Sequence, residues 1–489
     1  MSTNSIASRS TAALAWSVIG AIAKIGGQLV VQITLARILD PVVFGQYAAM
    51  LAVFGLGYIL SDGGFGSALI QKKQIDDNDI GLALGWSLMF ACVTAAIIYF
   101  SSPALANLFG DGGLIPMFRA CALLIPFQIV LNLSSSLLRR ELRMKGMQVI
   151  SIIAYIVFFG GVAIALALKG FGVWALVAGF AAQTLFALFA TYLLMRHTLR
   201  PKLRGDRALI QFGIKALCIE LGSWSMDNLD RFLIGKWWGL YSLGLYSVSY
   251  NLSKAPTALL VSAAQSIAFA SSARLQSDIS ATRRGFLIVL PAIALLTLPV
   301  FTVVAIEAPA VLHIVYGSKW IAAAPYMTAL ACAIPFIAIG AITAAFLRGT
   351  GTVGIELHIQ LIAGMALFAS FFILRNASLN LAVWAVPGAY LLRLLLLLNA
   401  VRNRLQFRVL ELTQALSGCA LVTITTGLTT IIANMLTANQ FPDKNYIPLI
   451  VGILTPIIFS LIFSQRVFGP TLLSYVKINF LSCLNIFKI

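Results

Sequence analysis

Charge is scarce in this sequence, and negative charge scarcest: 16 of 489 residues are Asp or Glu, 34 are Lys or Arg, and histidine occurs three times. His197, His313 and His358 stand alone, so the spacing offers neither a histidine metal site nor a His-based catalytic group. There is no Walker phosphate loop, no His-Glu-x-x-His and no nucleophile elbow. The six cysteines are scattered through apolar stretches without a Cys-x-x-Cys pair, which reads as buried reduced thiols rather than disulfides or zinc ligands. Also missing is any polar stretch long enough to fold as a water-soluble domain, which argues against a membrane polymerase, ligase or glycosyltransferase with a large external loop. No enzyme activity, cofactor or bound metal is expected.

What is present is apolar: 60% of the residues are hydrophobic, and the mean hydropathy is +0.94, far from the usage of a water-soluble chain. Crossing the hydrocarbon core takes roughly 20 mostly apolar residues. Such runs lie near 12–38, 43–60, 82–102, 115–138, 147–168, 171–195, 209–234, 239–270, 286–306, 320–347, 356–374, 379–400, 411–436 and 447–465. The fold class is therefore an all-α integral membrane protein with about 14 transmembrane helices. No cleavable leader is expected, because the first apolar run has full spanning length and reaches Arg37 and Pro41 without a small-residue cleavage pattern.

The net charge of +18 could point to nucleic acid, but its placement decides otherwise. Between these spans, 22 of the Lys and Arg residues fall on the side of the first residues and six on the other. The rule that cytoplasmic loops are the basic ones then puts both termini in the cytoplasm. The basic charge reads as topology and contact with anionic membrane lipid, with no nucleic-acid partner.

The chain also repeats itself. A shift of 199 lays Arg37, Gly45 and Tyr47 over Lys236, Gly244 and Tyr246. A shift of 209 lays Ile125-Pro126-Phe127 and Leu137-Leu138-Arg139 over Ile334-Pro335-Phe336 and Phe346-Leu347-Arg348. Two collinear matches in corresponding spans indicate duplication of a six-helix unit, giving two parallel lobes related by an axis along the membrane normal. The expected organisation is an N-lobe over 1–195, a basic cytoplasmic linker over 196–208, a C-lobe over 209–400, and two further helices with a cytoplasmic tail over 401–489. Two lobes facing a cavity is the architecture of alternating access.

A charge inside the bilayer costs on the order of 2.5–3.5 kcal/mol and marks a functional candidate. In the seventh span Glu220, Asp227 and Arg231 fall within about 40° of one another, with Asp230 and Ser223 on the flank. In the first span Ser17, Lys24, Gln28 and Gln32 lie within about 80°. These stripes are expected to face each other across the lobe interface. Lys24, Gln28, Lys215, Arg231 and Lys254 are then candidates to bind an anionic group, with Arg suited to pyrophosphate by its two-pronged donor geometry. Glu220, Asp227 and Asp230 are candidates to take up a proton or cation. Against this, Asp227 and Arg231 are spaced as a self-neutralising i, i+4 pair. Lys215 and Lys254 have the alternative of snorkelling to an interface, and Arg393 near the end of the twelfth span reads the same way. Ser61-Asp62-Gly63-Gly64-Phe65-Gly66 breaks the second span, so Asp62, Gly63 and Gly64 form either a hinge or a tight turn. Pro126, Pro256, Pro291, Pro299 and Pro335 permit kinks.

The stretch from Leu60 to Lys72, Leu-Ser-Asp-Gly-Gly-Phe-Gly-Ser-Ala-Leu-Ile-Gln-Lys, and the stretch from Asp230 through Gly239 to Gly244-x-Tyr246 resemble bacterial polysaccharide flippases of the colanic-acid exporter type, within the multidrug/oligosaccharidyl-lipid/polysaccharide superfamily. The sequence departs at Ala268-Phe269-Ala270, where that family often carries proline. The resemblance implies translocation of an undecaprenyl-pyrophosphate-linked oligosaccharide across the bacterial inner membrane, coupled to proton or sodium entry, with a polysaccharide polymerase complex as a candidate partner. The alternatives are a multidrug/cation antiporter of the same superfamily and a membrane scaffold without transport activity.

Overall fold

In the computed structural model of the chain, residues 3–72, 74–205, 207–275, 278–440, 449–452 and 454–455 are described. All regular structure among them is helical. That follows from the solvent: in lipid every backbone N–H and C=O needs a partner inside its own segment, and the helix supplies it.

The first helices are α1 (Thr3–Ile38), α2 (Pro41–Asp62), α3 (Phe65–Gln71), α4 (Asp77–Leu108), α5 (Leu114–Arg140), α6 (Met144–Leu168) and α7 (Val173–Leu194). The long α8 (Arg207–Arg274) follows, then α9 (Ile279–Ile306), the short α10 (Ala308–Tyr316), α11 (Ala324–Gly349), α12 (Val353–Leu374), α13 (Leu379–Leu405) and α14 (Val409–Gln440). Eleven helical stretches among the described residues are long and apolar enough to cross a membrane, and the chain is a multi-span membrane protein. The spans expected at 209–234 and 239–270 both lie in α8, which is broken at Gly239 (φ 80°, ψ 175°). The expected span at 447–465 and the tail beyond it lie outside the described residues except for the helical 449–452 and 454–455.

Local sequence explains the boundaries. Proline at the first position opens α2, where its missing N–H costs nothing. Gly63 ends it in the left-handed region, which only glycine enters without strain. Asp76 caps α4 by accepting the Asp79 N–H at 2.8 Å, while the Asp79 carboxylate accepts the Asp76 N–H in return. Two elements escaped the sequence reading. Residues Ala154–Gly161 in the middle of α6 form wide π-helical turns, with the Tyr155 and Phe159 rings stacked at 4.9 Å. A short helix and turn between α9 and α11 bury Tyr316 and Trp320.

The chain divides into two compact units, Met1–Val248 and Ser249–Ile489. In the first, Phe65, Leu69, Leu82, Leu84, Leu133 and Leu137 gather α3, α4 and α5 around one apolar core. In the second, Phe286, Leu290, Ile342, Phe346 and Leu397 do the same for α9, α11 and α13, with Phe407 from the turn after α13. Within the first unit α2 and the start of α8 run close along their length: Gly213 lies at Gly63, and Gly55 lies at the Trp224 indole. They meet again where a Cβ on Gly45 would stand 1.8 Å from the Leu240 carbonyl oxygen, and one on Gly244 would stand 1.8 Å from the Pro41 oxygen. The contact is reciprocal under the shift of 199 that relates the two sequence repeats.

Candidate functional site

The break after α2 is a built corner. The buried Asp62 carboxylate accepts from Asn132 Nδ2 of α5 at 2.7 Å and from the backbone N–H groups of Gly64 and Gly66. Gly63 and Gly64 both take positive φ, 58° and 73°. The carboxylate thus satisfies the first amides of α3, which are exposed when a helix restarts. Ser61 Oγ donates to the Gly57 carbonyl at 2.6 Å, and Ser87 Oγ of α4 donates to the Asp62 carbonyl at 3.1 Å.

Glu220 of α8 comes to this corner. Its carboxylate accepts from Ser67 Oγ at 3.5 Å and lies within electrostatic reach of Asp62 and of the Tyr58 hydroxyl. The structure therefore joins one residue assigned to the hinge with one assigned to ion coupling. Lys24 of α1 donates to Ser151 Oγ of α6 at 3.1 Å, and Gln28, one turn on, is half-buried. Asp227 is exposed. Asp230 is fully buried and accepts from the Tyr246 hydroxyl across the break at Gly239, and from the Arg231 backbone N–H at 2.7 Å. In the second unit Lys254 donates to the Tyr250 hydroxyl at 2.9 Å and lies over that ring. The side chain of Lys215 lies outside the described residues. The partners Asn132, Ser67, Ser151 and Tyr246 were missed from sequence. A signal for the first was available, since Asn132 opens the polar run Asn132-Leu133-Ser134-Ser135-Ser136 within an apolar span.

The basic linker does not hang free over its described residues. The Lys202 N–H donates to the Gly81 carbonyl at 2.8 Å, and a Cβ on Gly85 would meet the Lys202 carbonyl oxygen at 2.1 Å, so two glycines of α4 make room for the strap. His197 Nε2 lies 2.8 Å from Ser134 Oγ and Nδ1 lies 2.9 Å from the Thr198 carbonyl oxygen. Burial holds this imidazole below its usual pKa, although the Thr198 carbonyl pulls the other way.

Over residues 34–325, more than half of its length, the chain matches the family described as polysaccharide biosynthesis protein, and it belongs to that family. The succinoglycan biosynthesis transport protein of Rhizobium meliloti (strain 1021) is 26% identical over 340 residues, covering 69% of this chain and 68% of the relative. Among solved structures the fold is similar to the lipid II flippase MurJ in an inward closed conformation, with a TM-score of 0.75 at 14% identity over 92% of this chain and 99% of that one. It is also similar to an inward-facing MATE-family multidrug resistance transporter of the MOP superfamily, with a TM-score of 0.59 at 16% identity over 80% and 98%. At these identities the likeness shows the fold alone, and that fold is shared by transporters of unlike cargo.

Proposed function

We propose that this protein is a flippase that carries an undecaprenyl-pyrophosphate-linked oligosaccharide across the bacterial inner membrane for cell-surface polysaccharide synthesis. The observation that carries this reading is the family match over residues 34–325 on a fold similar to that of the lipid II flippase MurJ. On this reading fourteen spans form two duplicated lobes that rock about the bound substrate, with both termini cytoplasmic. The reciprocal approach of Gly45 and Gly244 supports the duplication. Lys24, Gln28, Lys215, Arg231 and Lys254 contribute to holding the pyrophosphate and sugar, while the lipid tail stays in the bilayer.

No nucleotide-binding loop is present in the sequence, so the work comes from an ion gradient or the membrane potential, worth about 2.3 kcal/mol per charge per 100 mV. Glu220, Asp227 and Asp230 are the acids available to exchange a proton or sodium ion. The multidrug antiporter shares the fold, but its cationic cargo is poorly served by polar stripes that carry Lys24 and Arg231.

The test is flipping in proteoliposomes with a fluorescent polyprenyl-pyrophosphate oligosaccharide and an imposed proton or sodium gradient. Wild type is expected to flip the probe only with the gradient, and Lys24→Ala and Asp227→Asn to lose at least tenfold in rate while remaining folded. Transport of cationic drugs by wild type, with no flipping of the probe, would replace this reading with the antiporter.

A further inference from the structure

The turn between α4 and α5 is short and shaped by glycine, yet it carries a ring that is almost wholly buried: Phe109 is 4% exposed. Behind it Gly110 takes a φ of 68°. The Gly110 N–H donates to the Asn107 carbonyl at 3.2 Å and the Asp111 N–H to the Ala106 carbonyl at 3.3 Å. This is the left-handed glycine stop that closes the end of a helix. Asp111 then braces the turn, since the Gly113 N–H and Gln46 Nε2 of α2 donate to its two carboxylate oxygens, each at 2.8 Å. Cap and brace together fix the position of the Phe109 ring.

That ring seats in the break of α8. It meets Phe232 edge-on, with centroids 5.2 Å apart and planes at 71°, and is backed by Phe118 of α5 at 6.2 Å. A Cβ on Gly235 would stand 2.7 Å from the Phe109 ring and 3.0 Å from Leu243, which lies beyond the break at Gly239. Gly235 thus leaves a notch that the ring fills, with Phe232 and Leu243 as its sides. Tyr246 donates to Asp230 across the same break and ties its two arms together. The crossing of Gly45 with Gly244 adjoins the notch, because Gln46 follows Gly45 and Leu243 precedes Gly244. On the duplicated-lobe reading α8 opens the second lobe, while α2, α4 and α5 belong to the first. The Asp111 bonds brace the turn to its own lobe, and the Tyr246 bond ties α8 to itself. The ring in the notch is by contrast an apolar contact, which parts without leaving a buried polar group unpaired.

We propose that Phe109 is the latch of a gate at the helix ends remote from the strap 196–205. Seated in the Gly235 notch it closes the substrate path at that end, and it leaves the notch when the lobes rock apart to release cargo. This rests on the flippase reading and names a contact that the transport cycle must break. With the topology proposed above, the gate opens away from the cytoplasm.

The test uses the full-length protein in nanodiscs, with the native cysteines replaced and spin labels on Gly112→Cys and Lys236→Cys, both at exposed positions. A spin–spin distance measurement then reads the separation of the turn from α8. Gly235→Val places a side chain in the notch and is expected to move about half or more of the short-distance population to longer distances. Phe109→Ala added to Gly235→Val is expected to restore the short distance, because the ring that the valine displaced is gone. Thermal melting checks that each variant is folded. A distribution unmoved by Gly235→Val, or moved but not restored by Phe109→Ala, would overturn the latch. In proteoliposomes, Phe109→Cys and Gly235→Cys joined by a short bifunctional thiol reagent should flip the lipid-linked probe at least about tenfold more slowly, with recovery on reduction. Flipping undiminished by the bridge would also overturn the latch. If wild type flips no probe while Gly235→Val still opens the labelled pair and Phe109→Ala closes it, the flippase reading falls and the latch stands.

Discussion

At the scale of single residues, Asp62 is where sequence and structure divide the information most clearly. The glycine pair after it announces a break, because two glycines cost a helix about 2 kcal/mol relative to alanine. What the sequence does not disclose is the use of the carboxylate, since Asn132 lies 70 positions away and only the fold brings it to 2.7 Å. Asp62→Ala leaves that amide and the N–H groups of Gly64 and Gly66 without their acceptor in a site closed to water. Each of the three losses costs roughly 1–3 kcal/mol, so at least about 3 kcal/mol in total is expected. Thermal melting of the detergent-purified variants should place Asp62→Ala well below wild type and Asp62→Asn between them. A melting temperature for Asp62→Ala equal to wild type would reduce the corner to an ordinary turn. Lys24 was legible as a cation but its partner Ser151 was not: sequence gives a residue's charge and helix face, but neighbours on other helices are set by packing.

At the scale of elements, hydropathy recovered the spans that the described residues include, with ends shifted by a few residues where caps extend the helix past the apolar run. Asp76 carries α4 back before its hydrophobic stretch in this way. The π-helical turns of α6, the short α10 and the docked linker were invisible to hydropathy, because none of them changes the apolar length of a segment. The contact of α2 with α8 lies between these cases. Gly45 and Gly244 were matched as repeats, but that they touch emerges only in three dimensions. Small residues let helix backbones approach closely in membranes, and a methyl on either glycine must push the opposing carbonyl away, costing typically 1–3 kcal/mol. Because each methyl would open the same crossing, the two costs should not add. The double variant Gly45→Ala, Gly244→Ala is expected to lose less thermal stability than the sum of the single variants, with a coupling of about 1 kcal/mol. Strict additivity would mean that the two positions yield independently and that the crossing is not one shared contact.

At the scale of the whole molecule, the distribution of charge sets how the bundle lies in the membrane. Insertion orients a helix by the basic residues within about 15–20 positions of its ends, and the spans expected from the sequence would concentrate them at one set of ends. The basic strap 196–205 docks against the start of α4, where Lys202 is held at Gly81 and Gly85 and Lys72 pairs with Asp79 of the first turn, so these cations gather at one end of the same helix. The exposed Lys169, between α6 and α7, belongs to the opposite ends. In a background with the native cysteines replaced, a cysteine at Lys169 should react with a membrane-impermeant thiol reagent added to spheroplasts. A cysteine at the exposed Arg200 should react only after the membrane is permeabilised. The reverse pattern would invert the bundle, and with it the side on which the strap 196–205 lies. Substrate made in the cytoplasm would then meet the other set of helix ends first, so this single labelling experiment bears on the direction of transport as much as on topology.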